Sequence, residues 1–281
     1  MISKALSYLF DDYQKKTNIL FFKHTLYAYV VIRCVVWLFN YNLLFCEPTI
    51  SLLNFVPINP LDYPAYFLYF SSNSFLPLLC IVSSIIISLL SIVKKSTLVT
   101  DLILYLLVIN IHYKLYTALT GGDAILNNLL FLGAFARTKF ISSNSFYHLL
   151  LKLLHNFSVI ALMFQVCIVY FYSAMVKWLD HDWLNGSAMY YISEIKHFSN
   201  GMLAGTSVPS ALSFILSYLV LLYQSFFPFF IFMKKYKNLF LACGIIMHLY
   251  ISVTMGLLFF GLLMICTYFL FFDFKKVHIH N

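Results

Sequence analysis

Runs of about 20 apolar residues recur along the whole chain, and a helix of that length spans the hydrocarbon core of a bilayer. No other feature constrains the fold as strongly. Seven such segments read at roughly 19–45, 75–93, 98–119, 123–136, 157–176, 208–233 and 239–272. The fourth is short for a full crossing. The last is too long for one straight crossing and contains Gly256 and Gly261, where a kink or a return is expected. Backbone polar groups in lipid are satisfied only in helices or closed barrels, and uninterrupted apolar runs select helices. The expected fold is all-α, a polytopic transmembrane helical bundle of about seven membrane segments. Residues 1–281 read as a single transmembrane domain, with residues 1–18 cytoplasmic and 273–281 a short tail.

Composition agrees. Hydrophobic residues make up 62% and charged residues 10%, against about 25% charged in ordinary domains. This excludes a soluble globular enzyme, a disordered regulator and a fibrous protein. The net charge of +8 comes from short basic clusters between apolar segments, with no stripe or motif that would read as nucleic-acid binding. The polar first 18 residues and the lack of a small-residue cleavage site point to an uncleaved first helix. The cysteines form no C-x-x-C pair. Cys34, Cys80, Cys167, Cys243 and Cys266 lie in apolar segments, where a thiol behaves as a small hydrophobe. Only Cys46 falls near a predicted outer loop.

Charge asymmetry orients the chain. With the N-terminus inside, the inner segments hold Lys4, Lys15, Lys16, Lys23, Lys94, Lys95, Arg137, Lys139, Lys152, Lys234, Lys235, Lys237, Lys275 and Lys276. The outer segments hold only Lys114, Lys177 and Lys196, the bias of the positive-inside rule. The last inner pair requires the seventh segment to be a hairpin. The outer side then carries two longer connections, 46–74 and 177–207, and is the expected place to handle a soluble substrate.

The stretch from Tyr170 to Tyr191 carries the most chemistry. An apolar helix meets Lys177 at its outer boundary, followed by Trp178, Asp180, His181, Asp182, Trp183 and Gly186. Lys177, Asp180 and His181 share a face if the helix continues. A lysine in such partly apolar surroundings can act as a general base. The alternative is a snorkelling anchor with tryptophans in the aromatic belt. Asp123 opens the fourth segment after Gly121 and Gly122. It reads either as a helix cap after a tight glycine turn or as a carboxylate facing Lys177 across an outer-leaflet cavity. His112 and His248 interrupt apolar segments, either as hydrogen-bonded core residues or as groups lining a site. Arg33 lies midway along the first segment, where a charge is costly and needs a partner. No partner can be named from the sequence. His278 and His280 are too few to hold a metal, and no metal site is expected.

The same residues carry a family resemblance. Ala174-Met-Val-Lys177, then Asp182-Trp183, then Gly186-Ser-Ala188-Met-Tyr190 resembles the signature of the horizontally transferred transmembrane (HTTM) domain family. That family includes the membrane part of vitamin K-dependent gamma-carboxylase. Thr120-Gly121-Gly122-Asp123 is similar to the family's Gly-Gly-Asp block. Met247-His248-Leu-Tyr, followed by Gly256, Phe260 and Met264, is similar to its last block. The resemblance implies Lys177 as the base, with Asp123 and His248 beside it. Gly121, Gly122, Asp180, Asp182, Trp183, Gly186, His112 and Arg33 are then expected to line a cavity. It implies a reduced quinone such as vitamin K hydroquinone as cofactor and carboxylation of a glutamate side chain on the lumenal face.

Two departures from the carboxylase stand out. No room is seen after residue 272 for its additional lumenal domain, and the carboxylase lacks the Gly-Gly-Asp pattern. Compact relatives that mature the bacterial sporulation-delaying protein, a secreted peptide toxin, together with a small partner protein, are closer in size. The Trp37–Phe45 stretch is reminiscent of them. The expected function is thus a carboxylase-like membrane enzyme acting on a peptide or lipid-like substrate at the outer face. The alternative is a non-enzymatic maturation or assembly partner for a secreted peptide. A transporter would need repeats, and none is seen.

Overall fold

The computed structural model describes residues 9, 13–46, 75–94, 96–115, 118–138, 145–195 and 208–274. Helix follows helix, and no strand occurs among these residues. The order is α1 (Lys16–Phe39), a π-helical turn (Asn42–Cys46), α2 (Phe75–Lys94), α3 (Leu98–Lys114), α4 (Gly121–Ala134), α5 (Phe146–Trp178), α6 (His181–Leu184), α7 (Ala188–Glu194), α8 (Ser210–Phe230), α9 (Lys237–Thr254), α10 (Leu258–Thr267) and a 3-10 turn (Tyr268–Leu270). Most of the 46–74 connection, Lys196, His278 and His280 lie outside the described residues.

Five of these helices, α1, α2, α5, α8 and α9, are long and apolar enough to cross a membrane. The chain is therefore a multi-pass membrane protein. Three other expected crossings are shorter: α3 has 17 residues, α4 has 14 and α10 has 10. The seventh apolar segment divides at Gly256, which takes a left-handed φ of 66° that a side chain would oppose. Gly261 does not kink the chain. It lies inside α10, where an added Cβ would meet Ser252 and the carbonyl of His248, so it sets the approach of α10 to α9.

The fifth segment also differs. It was expected to begin at 157, just after the polar His155 and Asn156. Instead α5 starts at Phe146 and runs for 33 residues. Both polar side chains are fully buried and serve as backbone ligands. His155 Nε2–H donates to the Gln14 carbonyl at 2.8 Å, and its Nδ1 accepts the Arg137 N–H at 2.9 Å. Asn156 accepts from the Gln14 N–H and donates to the Leu9 carbonyl, each at 2.9 Å. Buried polar groups that are fully bonded do not end a helix.

The chain forms two compact units, with the boundary inside α5 at Ile160. In the first unit α1 packs on α2, α2 on α3 and α3 on α4. A line of small buried residues, Ser84, Ser88 and Ser91, runs along α2, as close helix packing in membranes favours. Two buried ion pairs add to this. Lys23 donates to Asp101 at 2.6 Å and to the Ala136 carbonyl at 2.9 Å, and Tyr27 donates to the other Asp101 oxygen at 2.6 Å. Lys23, expected in a basic inner segment, is only 2% exposed. Arg33 donates to Asp123 at 3.1 and 3.4 Å, which supplies the partner missing from the sequence. Both acids sit in the first turn of a helix, where the backbone dipole favours a negative charge. In the second unit α9 packs on α10, and α6, α7 and α9 each pack on α8.

Removing one member of a buried pair strands the other charge. We expect Lys23→Met to destabilise the protein by about 3–5 kcal/mol. Lys23→Met combined with Asp101→Asn should recover most of that loss, because no charge is then left unpaired. Thermal unfolding of the three variants in detergent checks this, and a double variant no more stable than Lys23→Met would contradict it.

Candidate functional site

The expected site residues fall into three groups. The first is in the first unit. Asp123 Oδ2 accepts the Thr120 N–H at 2.8 Å and the Thr120 hydroxyl at 3.0 Å, so it does close the start of α4 as a capping box does. The same carboxylate receives Arg33 and lies 3.6 Å from His112 Nε2. His112 Nδ1 is 2.7 Å from Asn127 Oδ1. The Arg33 guanidinium covers the Trp37 ring at 5.2 Å, and Trp37 meets the His112 ring edge-on at 5.5 Å. Arg33, His112 and Asp123 thus converge from α1, α3 and α4. Gly121 and Gly122 do not form the expected turn; they are the first two residues of α4.

The second group surrounds Lys177 at the end of α5. The helix stops at Trp178, so the expected face of Lys177, Asp180 and His181 does not form. Asp180 turns away and caps α6, accepting the N–H groups of Asp182 at 2.9 Å and Trp183 at 3.3 Å. His181 pairs with Asn185. Asp182 is exposed and accepts a long bond from the Ser187 hydroxyl at 3.3 Å. Lys177 bends the other way, back along its own helix. Its Nζ donates to Ser173 Oγ at 2.7 Å and to the Ser173 carbonyl at 3.4 Å, and it lies over the Trp183 ring at 4.9 Å. No carboxylate pairs with it among the described residues.

The turn that carries Trp183 is clamped by α8. Gly186 has φ 79° and lies against Phe214, leaving no room for a side chain. Its carbonyl accepts from Ser213 at 2.8 Å and Ser217 at 3.3 Å. The same two hydroxyls accept the Tyr190 and Met189 N–H groups at 2.8 and 3.2 Å. Two serines one turn apart thereby satisfy the open start of α7, which has no cap of its own.

The third group is a chain of rings around His248. Tyr170 of α5 bonds His248 Nε2 at 2.7 Å and also bonds Tyr268. Tyr268 is 3.3 Å from Tyr223 of α8, and Tyr223 donates to the Phe240 carbonyl at 3.1 Å. A carbonyl can only accept, and each hydroxyl has a single proton. Tyr223 commits its proton to Phe240, so Tyr268 donates to Tyr223 and Tyr170 donates to Tyr268. The last bond then needs the proton of His248 Nε2. A neutral ring in that tautomer has a bare Nδ1, and this atom is buried with no hydrogen-bond partner.

Residues 150–275 match the family model of the HTTM domain. This segment is similar to the HTTM domain. Neither a curated protein nor a solved structure matches the chain. Lys177, Trp183, Gly186, His248, Tyr170, Tyr223 and Tyr268 fall inside that segment, whereas Arg33, His112 and the Thr120–Asp123 block precede it.

Sequence reasoning missed Ser173, Tyr223 and Tyr268. Ser173 had a signal, since four residues back from a helical lysine is within its reach. The tyrosines had none that separates them from the other 19 in the chain.

Tyr170→Phe removes the acceptor of the His248 proton, and we expect a loss of about 1–3 kcal/mol in detergent unfolding. Nitrogen-15 spectra of histidine-labelled protein should place the His248 proton on Nε2. A proton on Nδ1 would reverse the chain and contradict its direction.

Proposed function

We propose that this protein is a membrane enzyme whose HTTM domain uses Lys177 as a general base on a peptide or lipid-like substrate at the outer face. The observation that carries the reading is the direction of the Lys177 side chain. A snorkelling lysine extends past the helix end toward water. Lys177 instead folds back onto Ser173 under Trp183, half-buried. A base needs a lone pair, and a hydroxyl and an indole face do not hold the ammonium as a carboxylate would. The charge asymmetry of the chain favours an outer position for this residue. The compact carboxylase-like relatives favour a secreted peptide as substrate.

A reduced quinone, the cofactor implied by the carboxylase resemblance, carries hydroxyls on an apolar ring. The bare, buried Nδ1 of His248 fits such a hydroxyl as an acceptor, and Lys177 is one of the basic groups of the same unit. Those two residues would hold it, and a bound quinol would supply a strong base after reaction with oxygen.

The test is mass spectrometry of secreted and membrane-associated peptides in the native host. Lys177→Ala should abolish a Lys177-dependent product while the protein stays in the membrane at normal abundance. Lys177→Arg should fail as well, because a guanidinium stays protonated. A functional arginine variant would refute the base and favour the anchor. Identical peptide profiles with stable expression would point to an assembly partner. For orientation, a cysteine placed at Asn185, which is exposed, should react with an impermeant reagent from outside; reaction only from inside inverts the topology.

A further inference from the structure

Three serines within the helices of this protein bond back along their own helix. Ser84, Ser225 and Ser252 each give the hydroxyl proton to the carbonyl four residues earlier, at 2.7–2.8 Å. This back-bond is the usual way a helical serine in an apolar setting satisfies itself. Ser173 departs from it. Its hydroxyl makes no bond to the carbonyl of Val169, and its only described hydrogen bond is the one it accepts from Lys177 Nζ at 2.7 Å. The Ser173 proton is therefore uncommitted, one hydrogen-bond length from an amine that no carboxylate pairs. Ser173 is also half-buried, not sealed in the core.

A hydroxyl in hydrogen-bond contact with a lysine amine is the arrangement of a serine–lysine nucleophile pair. We infer that Ser173 and Lys177 form such a pair, with Ser173 Oγ as the nucleophile in acyl transfer from a peptide amide or lipid ester. The inference rests on the reading of Lys177 as a base and names the proton that the base removes.

The steps balance. Neutral Lys177 Nζ takes the Ser173 hydroxyl proton as Oγ bonds the substrate carbonyl carbon, and the carbonyl π pair moves to its oxygen. That pair returns as the bond to the leaving amine or alcohol breaks. The leaving group takes the proton from Nζ, and an acyl-serine ester remains. Water then gives a proton to Nζ and attacks the ester, and Oγ departs with that proton. The sum is hydrolysis by water, with no oxidant and no external reductant. Trp183 lies over the amine and shields it from bulk water during the first transfer.

The experiment uses the full chain in lipid nanodiscs with an alkyl fluorophosphonate, which phosphonylates activated serines with loss of fluoride. Peptide mass spectrometry should find one adduct, on Ser173. Ser173→Ala should remove it. Lys177→Met should slow its formation about 100-fold or more, the usual contribution of a general base. No adduct on Ser173, or equal rates with and without Lys177, would overturn the nucleophile. The product profile in the native host separates the two readings. If Ser173→Ala keeps a product that Lys177→Ala loses, such as a peptide heavier by one carbon dioxide, the base stands and the nucleophile falls. If Lys177→Ala keeps the product, both fall. Loss of a cleaved or deacylated product in both variants, with the adduct on Ser173, supports the pair.

Discussion

A polar group inside a bilayer has no water to bond, so those that this chain carries into its helices depend on partners in the protein. That requirement organises the first unit. α1 brings two cations, Lys23 and Arg33, ten residues and therefore about 15 Å apart along its axis. Each meets an aspartate in the first turn of a later helix: Asp101 at the start of α3 and Asp123 at the start of α4. Successive helices that run up and down bring their starts to opposite ends. The two pairs thus act at two levels of α1, and a slip of one turn in any of these helices would break at least one of them. Apolar contact alone would not set that register, since lipid tails are as apolar as leucine.

In the segment that matches the HTTM family model, neutral groups meet much of the same requirement, beside the ion pair of Lys237 with Asp273. The serines of α8 hold the Gly186 turn, and the tyrosines close a chain on His248. Lys177 is the exception. Its partners are a serine and an indole face, weaker company for a cation than the aspartates that serve Lys23 and Arg33. Within one protein, then, Lys23, Arg33 and Lys237 are neutralised by aspartates, and Lys177 sits in a weaker setting. On the function we propose, this contrast separates a cation placed for packing from one placed for chemistry.

Much of this was legible in the sequence, for physical reasons. Apolar runs locate helices because the membrane forbids anything else, and α2 matches its expected span within a residue. Gly256 marked the break of the last segment because a left-handed residue there excludes most side chains. Asp123 was singled out because an acid at a helix start has an evident use. What failed was the start of the fifth segment at 157 and the placing of Lys23 among the inner basic residues. His155 and Asn156 lie well inside α5, and Lys23 is buried, because long-range partners satisfy them. Those partners lie 78–147 residues away, and no local pattern records them. The shared face of Lys177, Asp180 and His181 failed for the opposite reason. The spacing was right, but Asp180 bonds the next backbone turn and stops the helix.

The hydrogen bonds around His248 have one further consequence. They all point the same way, because they end on the backbone carbonyl of Phe240, which has no proton to return. The row cannot reverse, so it does not conduct protons; it acts as a ratchet that holds one tautomer. Its far end is Phe240 in the first turn of α9, while its near end is the imidazole about two turns further along. Loosening of Tyr223 from Phe240 would release each hydroxyl in turn and let the imidazole proton change nitrogen. The start of α9 and the ring of His248 are thereby coupled through protons, without any movement of the helix between them.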